Sequence, residues 1–551
     1  MTLAESDLKR DTNGFLVSRR SLVLGSILSL PVFGLARAAD LTGPHTAQQR
    51  QLLIFDRRRQ AAQAEFTGAP PPHATNGDED RYADRRASFS KTMPHNELGE
   101  VDREAYRKWL AILASGDSAQ FEQAPRDPRA IERLNDPQAT YAIDLVGPDA
   151  SALPFAPPPA FASRQAAAEM TELYWLALAR DLPFRDYATD PLLSAAVADL
   201  RAVGFTAIDA AHLFRGETVG DLRGPLVSQF LWHDIPYGLK TVDQRFRLPS
   251  PGQNFLTTFD DWLACQCGAR PRTNLRLDAE PRYVANYRGL TEYVHRDFSF
   301  QPFMNAALII QRMVAEAGDG VLSPTNPYRG SRSQFGDITL GNKNLLTLLA
   351  QASLLAQKTS YYQKWQLHRR ARPESFGGRI DVQLSGRKSY DIHPAVVQSD
   401  ALARVKAATG SYLLPMAYPE GSPTHPSYPA AHAVNAGACA TVLKAFVDET
   451  FEIRRPAEAS ADGARLEPWR GEALTLGGEI DKLASNIALA RDAAGVHFRS
   501  DSREGLALGE AVGIGLLADY SRTYSESFEG FVLTRFDGRK VRVSNGSVDL
   551  M

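Results

Sequence analysis

Cysteine is scarce in this chain of 551 residues, which contains only three. Cys265 and Cys267 are separated by one residue, and Cys439 lies in an alanine-rich stretch. This number and spacing predict neither a framework of disulfides nor a zinc site. We expect Cys439 to be a small core residue.

The chain also lacks an excess of charge of either sign. It has 62 Lys and Arg against 64 Asp and Glu, a formal net charge of −2, and 44% hydrophobic residues. This balance is typical of a soluble enzyme and argues against a protein that binds nucleic acid or a membrane surface. After the first forty residues no apolar run reaches the length of a membrane span, so we expect no span in the mature chain.

Strand patterns are sparse, and no internal repeat is visible. Long stretches rich in alanine and leucine predict helices over residues 165–182, 343–370, 430–449, 475–493 and 502–520. The clearest strand pattern covers residues 531–536 and 539–543, around Asp537-Gly538, and predicts a C-terminal β-hairpin. The sequence therefore predicts a mainly α fold, built as one large helical domain or as two fused halves.

The start of the chain has the pattern of a targeting segment. Ser18-Arg19-Arg20 precedes an apolar run that ends at Phe33, and small residues follow at 36–39. This resembles a twin-arginine export signal over residues 1–39, and the alternative is a buried helix that begins with two arginines. We expect a periplasmic or secreted protein.

The next segment differs in composition from the rest of the chain. Residues 40–160 are rich in Pro, Arg, Asp and Ala, which predicts a loop-rich N-terminal arm. The predicted helical catalytic domain then covers residues 161–551.

Basic and imidazole side chains are concentrated in three short stretches. Ten of them lie within residues 364–374, 425–432 and 491–501. If even half of these cations converge in the interior, their repulsion and desolvation require an anion among them. The three stretches therefore predict a pocket for a tetrahedral oxyanion.

Arg491 is predicted to point into the interior. Ile480, Leu483 and Ile487 follow the spacing of a buried helix face, and Arg491 comes eleven residues after Ile480. Eleven residues are about three helical turns, so the guanidinium lies on the same face. A structural ion pair is the alternative.

His497 and Asp501 are four residues apart. This spacing can place the carboxylate beside the imidazole, fix its tautomer and leave the other ring nitrogen as a ligand. Alternatively, Asp501 caps the next helix and Glu504 completes a capping box, and both roles can hold together.

Glycine recurs at every fourth residue of that next helix. Gly505, Gly509 and Gly513 lack side chains along one face. A neighbouring helix could therefore approach this face closely.

His432 lies at the predicted start of a helix. Residues 423–429 are too rich in proline to be helical, whereas residues 430–446 can be, so a helix is predicted to begin at Pro429 or Ala430. Its free backbone N–H groups, that of Ala431 among them, would face an anion. A structural histidine is the alternative for His432.

Lys364 and Arg372 supply two kinds of positive charge. Lys364 lies near the end of a predicted helix, and Arg372 precedes Pro373, which biases it away from helical geometry. The lysine offers a point charge, and the arginine offers a planar fork for paired oxygens. Arg369 and Arg370 are interpreted as a solvated basic face.

Together these stretches resemble the vanadium-dependent haloperoxidases, whose scaffold and anion site are shared with type 2 phosphatidic acid phosphatases and bacterial acid phosphatases. The algal bromoperoxidases are the most similar group. The resemblance rests on the spacing of eight from Lys364 to Arg372, on Pro373-Glu374, on the spacing of seven from His425 to His432, and on residues 495–501. Weaker similarity at residues 224–231 and 234–238 extends it over about 220–520. It implies a helical-bundle core of the haloperoxidase and acid phosphatase type.

The resemblance also implies roles for individual residues. His497 would bind the vanadium of a vanadate cofactor, Asp501 would orient His497, and His432 would be the acid/base. The vanadate oxygens would be held by Lys364, Arg372, Ala431 and Arg491, and the halide would lie near Tyr361 and His425. Lys364 would also polarise bound peroxide. The implied partners are hydrogen peroxide, a halide (bromide above all), a small organic acceptor and further copies of the chain in a homo-oligomer.

The chain departs from the family pattern at two places. Ala430-Ala431 stands where Ser-Gly is usual, which removes one hydroxyl donor and would weaken anion binding by roughly 1 to 3 kcal/mol. Tyr361 stands where tryptophan is common, which leaves the preference among bromide, chloride and iodide open. Two other functions stay open: phosphomonoester hydrolysis through a phosphohistidine at His497, and oxyanion binding without catalysis.

Overall fold

The computed structural model of the protein describes residues 45–205 and 208–551. The predicted export signal lies outside these residues. Contacts within the chain divide it into a short unit that ends at Phe55 and a large unit, Asp56–Met551. The division that the sequence predicted near residue 160, between an N-terminal arm and a helical catalytic domain, stays a prediction.

Helices dominate the described residues, as predicted. In chain order they are α1 (Ala47–Thr67), α2 (Asp78–Arg81), α3 (Arg103–Ser115), α4 (Ser118–Phe121), α5 (Arg164–Ala179), α6 (Pro191–Val203), α7 (Phe259–Gln266), α8 (Tyr287–Arg296), α9 (Gln301–Ala317), α10 (Asn342–Tyr362), α11 (Pro373–Leu384), α12 (Pro394–Val397), α13 (Asp400–Thr409), α14 (Ala431–Phe446), α15 (Leu476–Ala493) and α16 (Arg499–Ser521). Side chains satisfy the free N–H groups at several helix starts, for example Ser163 before α5 and Thr475 before α15.

The α14 helix forms the centre of the fold. Every residue of this alanine-rich helix except His432 is buried. It packs against α10, α15 and α16. The contact with α16 is the closest of these, because a β-carbon added at Gly509 would lie 1.9 Å from the carbonyl oxygen of Val434. The glycines at every fourth residue therefore permit the approach that their spacing predicted.

The strands form small antiparallel sheets. They are β1 (Ile235–Tyr237), β2 (Lys240–Val242), β3 (Phe246–Pro249), β4 (Leu277–Arg282), β5 (Ala457–Ala459), β6 (Leu466–Pro468), β7 (Phe531–Thr534), β8 (Lys540–Ser544) and β9 (Ser547–Leu550). The first six pair as β1-β2, β3-β4 and β5-β6, and the last three form the sheet β7-β8-β9. The predicted C-terminal hairpin is confirmed, with Gly538 in the left-handed region at φ 82° and with a third strand added.

Residues 56–160 contain more regular structure than their composition predicted. The α3 helix buries Tyr106 and Trp109, which pack with Phe89 and Met93 against Trp365. Trp365 immediately follows Lys364. This part of the chain therefore supports the segment that carries Lys364, in addition to its loops.

All three cysteines are free and buried. Within the described ranges, none of the helices combines the length and the apolar character that crossing a membrane requires.

Candidate active site

Lys364 lies in a π-helical turn that follows α10. The turn covers Gln363–His368 and ends at Arg369, whose φ of 35° is left-handed. The prediction of a continuous helix to residue 370 was wrong, because the wider turn and the reversal at Arg369 end the regular spiral. The Lys364 ammonium is fully buried and donates to the carbonyl oxygens of Pro426 at 2.7 Å and Ser427 at 2.8 Å.

Arg372 forms hydrogen bonds to residues of both other basic stretches. It precedes Pro373 in extended geometry at the start of α11, as the proline predicted. Its guanidinium donates to the carbonyl oxygens of His425 at 2.9 Å and Val496 at 2.8 Å. It also donates to a ring nitrogen of His425 and to one of His497. Burial, followed by the charge of Arg491, lowers the pKa of Arg372 to about 9.

The hydrogen bonds of His497 define its tautomer. Arg372 lies 2.9 Å from Nε2, and Asp501 Oδ2 lies 2.9 Å from Nδ1. Since a guanidinium only donates, Nε2 is the acceptor and Nδ1 carries the hydrogen that Asp501 accepts. Burial, followed by the charges of Arg372 and Lys364, holds the pKa of His497 well below its ordinary value. The ring is therefore neutral and keeps a lone pair on Nε2 that can serve as a ligand.

Asp501 lies at the centre of a buried polar network. It accepts hydrogen bonds from His497, from Ser427 Oγ at 2.5 Å and from Arg370 at 2.7 Å. Arg370 also bonds Ser500 Oγ at 2.9 Å. The interpretation of Arg370 as a solvated residue was wrong, because its charge is required to compensate the buried carboxylate of Asp501.

Two further arginines of the three stretches have partners outside the anion pocket. Arg369 forms a two-pronged ion pair with Glu79, so it is not a freely solvated residue either. Arg499 pairs in the same way with Glu172, through contacts of 2.9 Å. These two arginines therefore contribute little free positive charge to the pocket.

Asp501 contributes to the start of α16 but does not occupy the capping position. The helix begins at Arg499, so Asp501 lies in its first turn and accepts the backbone N–H of Phe498 at 3.1 Å. Glu504 pairs with its neighbour Arg503 at 2.7 Å. The capping box from Asp501 to Glu504 was therefore a wrong alternative, because the helix starts three residues earlier than that box requires.

Arg491 points into the interior, as its spacing predicted. It is 5% exposed, lies 5.6 Å from the centre of the Tyr418 ring, and donates to the carbonyl oxygen of Val294 at 2.9 Å. Its Nε is buried and has no hydrogen-bond partner among the described residues. Such a donor is costly unless an acceptor occupies the space beside it.

His432 is the histidine of the site that is most open to solvent, with a side chain 25% exposed. It lies in the first turn of α14, and its Nε2 is 3.0 Å from Asp297 Oδ1. The carboxylate accepts the hydrogen on Nε2 and leaves Nδ1 as a proton acceptor. Sequence reasoning missed Asp297, because it lies 135 residues before His432 and no local pattern links the two.

His425 and Tyr361 form a second, adjacent pair. Their ring centres are 5.2 Å apart, and Arg372 donates to His425 Nδ1 at 2.9 Å. Burial, followed by the charge of Arg372, holds the pKa of His425 well below its ordinary value. Burial also raises the pKa of Tyr361. Both rings are therefore neutral polar groups beside a cluster of cations.

The two alanines before His432 lie at the start of α14. The methyl group of Ala430 packs in a small apolar cluster with Ala433 and Ala488, and its N–H donates to the carbonyl oxygen of Asp501 at 2.9 Å. Ala431 is the first residue of the helix, so no carbonyl within the helix accepts its N–H. The missing hydroxyl donor is therefore replaced by apolar packing, while the positive end of the helix is retained.

The electrostatics of this cluster favour a bound anion. Lys364, Arg372 and Arg491 act on one another and on His497, and burial together with the neighbouring arginines holds the pKa of Lys364 well below its ordinary value. Asp501, the acidic group among them, is already paired with Arg370. Among the described residues no group of His, Cys, Asp and Glu is placed to hold a metal cation. An oxyanion with a central atom bound by His497 fits this set of groups, because it supplies the missing negative charge and an acceptor for Arg491 Nε.

The fold and the site define a helical enzyme that binds a tetrahedral oxyanion between buried cations. Comparison with known proteins identifies the family to which this protein belongs. The family model of the VCPO second helical-bundle domain matches residues 400–526. A vanadium-dependent bromoperoxidase of Ascophyllum nodosum is 35% identical over 92% of this chain and 94% of its own length, and one of Corallina pilulifera is 31% identical over 90% and 99%.

A solved structure agrees with these relatives. The chain is similar to the homohexameric structure of the second vanadate-dependent bromoperoxidase of Ascophyllum nodosum, with a TM-score of 0.87, 27% identity and coverage of 96% of this chain and 97% of that one. The chain belongs to the vanadium-dependent haloperoxidase family. It is a peroxidase with a vanadate cofactor.

Proposed function

We propose that this enzyme oxidises bromide with hydrogen peroxide to hypobromous acid. The observation that carries the proposal is the buried group of Lys364, Arg372 and Arg491 around His497, whose Nε2 carries no hydrogen and accepts from Arg372. The curated relatives, which are named bromoperoxidases, support bromide as the halide. When bound, vanadate supplies Lewis-acid activation of hydrogen peroxide.

In this proposal His497 is the ligand to vanadium through Nε2. Its Nδ1–H bond to Asp501 keeps Nε2 unprotonated and fixes the orientation of the ring. Arg372, which now donates to Nε2, would turn this hydrogen bond toward a vanadate oxygen. The guanidinium would keep a hydrogen-bond acceptor before and after this exchange, so its charge would never be left without a partner.

Lys364, Arg372, Arg491 and the N–H of Ala431 are the proposed donors to the vanadate oxygens. Lys364 has three ammonium hydrogens, and two of them go to the carbonyl oxygens of Pro426 and Ser427. The third ammonium hydrogen is available to an oxygen in the site. Through this hydrogen Lys364 could polarise bound peroxide. Arg491 adds its unpartnered Nε.

His432 is the proposed acid/base. Its Nδ1 accepts a proton from hydrogen peroxide as the peroxide binds, while Asp297 stabilises the positive charge that develops on the ring. Tyr361 and His425 are the proposed neighbours of the halide. A neutral imidazole N–H and a phenol O–H can donate to bromide without holding it as tightly as a cation would.

The direct test uses the protein reconstituted with orthovanadate. We expect bromination of a phenolic dye that requires both hydrogen peroxide and bromide, and a slower reaction with chloride at the same concentration. A dye that stays unchanged, or release of phosphate from p-nitrophenyl phosphate at a comparable rate, would contradict the proposal. Chloride oxidised as fast as bromide would contradict the halide preference alone.

We propose further that copies of the chain associate. The support is a solved relative that is homohexameric, together with apolar side chains exposed on α1: Leu52 is 62% exposed, Phe55 64% and Phe66 84%. Sedimentation of the wild type should give a mass above that of a monomer, and serine at these three positions should reduce that mass. A monomeric wild type would overturn the proposal.

We also propose that the protein is exported to the periplasm or secreted. The support is the pattern of Ser18-Arg19-Arg20 followed by an apolar run. Replacement of Arg19 and Arg20 by lysine should retain the chain in the cytoplasm. Export of this variant at the normal rate would contradict a twin-arginine route.

A further inference from the structure

A cleft of about 550 Å³ opens beside His432. Its walls come from β1 to β4, from the end of α8 and from the start of α9, and they include Phe246, Leu277, Tyr293 and Asn305. The rings of Phe246 and Tyr293 lie 6.0 Å apart at an angle of 55°. The volume is within the range of about 300 to 1,000 Å³ that small-molecule sites occupy.

The lining of the cleft holds three arginines and three acidic residues, and two of the arginines pair with acids of the lining. Arg296 contacts Glu292 at 3.1 Å, and Arg245 contacts Asp243 at 2.5 Å. Arg247 donates to the carbonyl oxygen of Asp278 at 2.7 Å. An occupant therefore meets compensated charges and aromatic walls, which favours a neutral aromatic molecule over an anion.

Two buried polar atoms of the cleft can each form a further hydrogen bond. The hydrogen of the Tyr293 hydroxyl has no acceptor, and Asp297 Oδ2 has no donor, among the described residues. The charge of Asp297 acts on the Tyr293 hydroxyl, and the Asn305 amide lies beside it. One group is a donor and the other is an acceptor, so together they match a ligand hydroxyl, which both accepts and donates.

Asp297 also links the cleft to the reaction site. Its other oxygen, Oδ1, accepts from His432 at 3.0 Å, while its side chain is 2% exposed. A ligand hydroxyl that donates to Oδ2 would therefore be linked to His432, the proposed acid/base, through the carboxylate of Asp297. The ring that carries this hydroxyl would lie against Phe246 and Tyr293, on the side of both rings that faces the cleft.

We propose that this cleft binds the organic acceptor, and that the acceptor is a small neutral hydroxyarene held by Phe246, Tyr293 and Asp297. The inference rests on the proposed function, which supplies hypobromous acid. In the transfer step a ring carbon ortho or para to the hydroxyl forms a bond to bromine, and the O–Br bond breaks. The ring proton combines with the released hydroxide to give water, so the products are a bromoarene and water.

Binding can be measured apart from turnover. The holoenzyme, without peroxide and bromide, is titrated with 2-naphthol and with 2-methoxynaphthalene, which lacks the hydroxyl hydrogen. We expect 2-naphthol to bind about fivefold more tightly, the ratio that one net hydrogen bond gives. Tyr293→Phe should weaken both ligands by about fivefold, because the oxygen of each accepts from the Tyr293 hydroxyl, whereas only 2-naphthol can donate to Asp297. Phe246→Leu should weaken both ligands.

The matched control is Tyr283→Phe, which removes a tyrosine hydroxyl in a different cleft and should change neither affinity. Equal affinities for the two ligands, or a Tyr293→Phe variant with unchanged 2-naphthol affinity, would overturn the proposal. Bromide oxidation is followed separately with taurine, which has no ring. Selective naphthol binding without bromide oxidation would support the cleft and contradict the proposed function, whereas bromide oxidation without selective binding would overturn the cleft.

Discussion

Asp501 controls the protonation pattern of the site. Its side chain is fully buried and receives hydrogens from Ser427, Arg370 and His497. A carboxylate can only accept, so it forces the His497 hydrogen onto Nδ1 and leaves Nε2 as the ligand. The effect of Asp501 on vanadate therefore acts through His497.

The substitution Asp501→Asn should weaken vanadate binding by about 10- to 100-fold, the usual cost of losing a partner of a metal-bound histidine. The amide removes the negative charge that Arg370 pairs with, and its NH₂ can donate to Nδ1 and so place the hydrogen on Nε2. Equilibrium dialysis of vanadate against the reconstituted protein measures the change. Glu504→Gln, in the same helix but paired with Arg503, is the control. Equal affinities for the two variants would contradict this role.

His368 is a half-buried histidine whose ring nitrogens are both buried, and it takes no part in the anion pocket. Its ring lies 5.8 Å from Phe155 and 5.0 Å from Tyr428, and neither ring nitrogen has a partner among the described residues. Burial, followed by the charge of Arg369, lowers the pKa of His368 from 6.5 to about 3. The folded chain therefore keeps this ring neutral over a range in which the unfolded chain protonates it.

This difference gives a pH dependence of stability with a definite sign. As the pH falls below 6.5, the unfolded state binds one proton more than the folded state, so His368 costs about 1.4 kcal/mol of stability per pH unit. His368→Phe should remove this cost. Its stability relative to the wild type should rise as the pH falls from about 6 to 4, measured by urea unfolding at each pH.

The comparison between variants matters, because buried acids such as Asp481, whose pKa burial raises to about 6, have the opposite effect on the wild type over the same range. A constant difference between His368→Phe and the wild type at all pH values would show that His368 is protonated in the folded protein.

Spacing along the chain predicted the interior direction of Arg491, the contact of His497 with Asp501 and the turn at Arg372, because each depends on residues a few positions apart. The burial of Arg370 depends on Glu169 and Asp501, which lie 201 and 131 residues away. A run of basic residues has the same local pattern whether its partners are water or distant carboxylates. The sequence alone therefore could not distinguish a solvated arginine from a buried one.

Some helix boundaries are likewise marked by local sequence, whereas others depend on tertiary contacts. The helices predicted near residues 165–182 and 475–493 are observed at Arg164–Ala179 and Leu476–Ala493, because caps and apolar spacing mark their ends. The π-helical turn Gln363–His368 has no such marker. Its wider spiral depends on the buried cluster around Trp365 and on the pairing of Arg369 with Glu79, both of which are tertiary contacts.

The packing of α14 against α16 depends on glycine. Gly509 faces the backbone of α14, where an added β-carbon would lie 1.9 Å from the carbonyl oxygen of Val434 and 2.8 Å from the amide nitrogen of Ala438. Backbone atoms cannot rotate away as a side chain can. An added methyl group must therefore push the two helices apart, and His432 is carried on one of them.

Gly509→Ala should destabilise the protein by about 3 kcal/mol or more, at the upper end of the usual cost of overpacking a core. It should also lower the affinity for vanadate, because α14 carries Ala431 and α16 carries Asp501. Chemical unfolding and vanadate dialysis measure the two effects. Gly320→Ala, where an added β-carbon has no neighbour within 4 Å, is the control. A Gly509→Ala variant as stable as Gly320→Ala would contradict the close packing.

The proposed vanadate site draws its groups from segments that are far apart in the chain. Lys364 and Arg372 flank the turn after α10, His425 and His432 flank the start of α14, and His497 precedes α16. The cations among them repel one another until an anion is bound. Vanadate should therefore stabilise the whole large unit in addition to the local site.

We expect orthovanadate to raise the unfolding temperature of the protein, and to raise it further as its concentration increases above the dissociation constant. A concentration 100 times the dissociation constant should add about 2.7 kcal/mol, since only the folded chain assembles the site. Differential scanning calorimetry of the vanadate-free protein, with and without orthovanadate, gives the shift, and sodium chloride of equal ionic strength corrects for screening. Arg491→Gln should lose much of the shift, because it removes a buried cation whose Nε has no partner among the described residues. An unfolding temperature that vanadate leaves unchanged in the wild type would mean that these cations are stable without an anion.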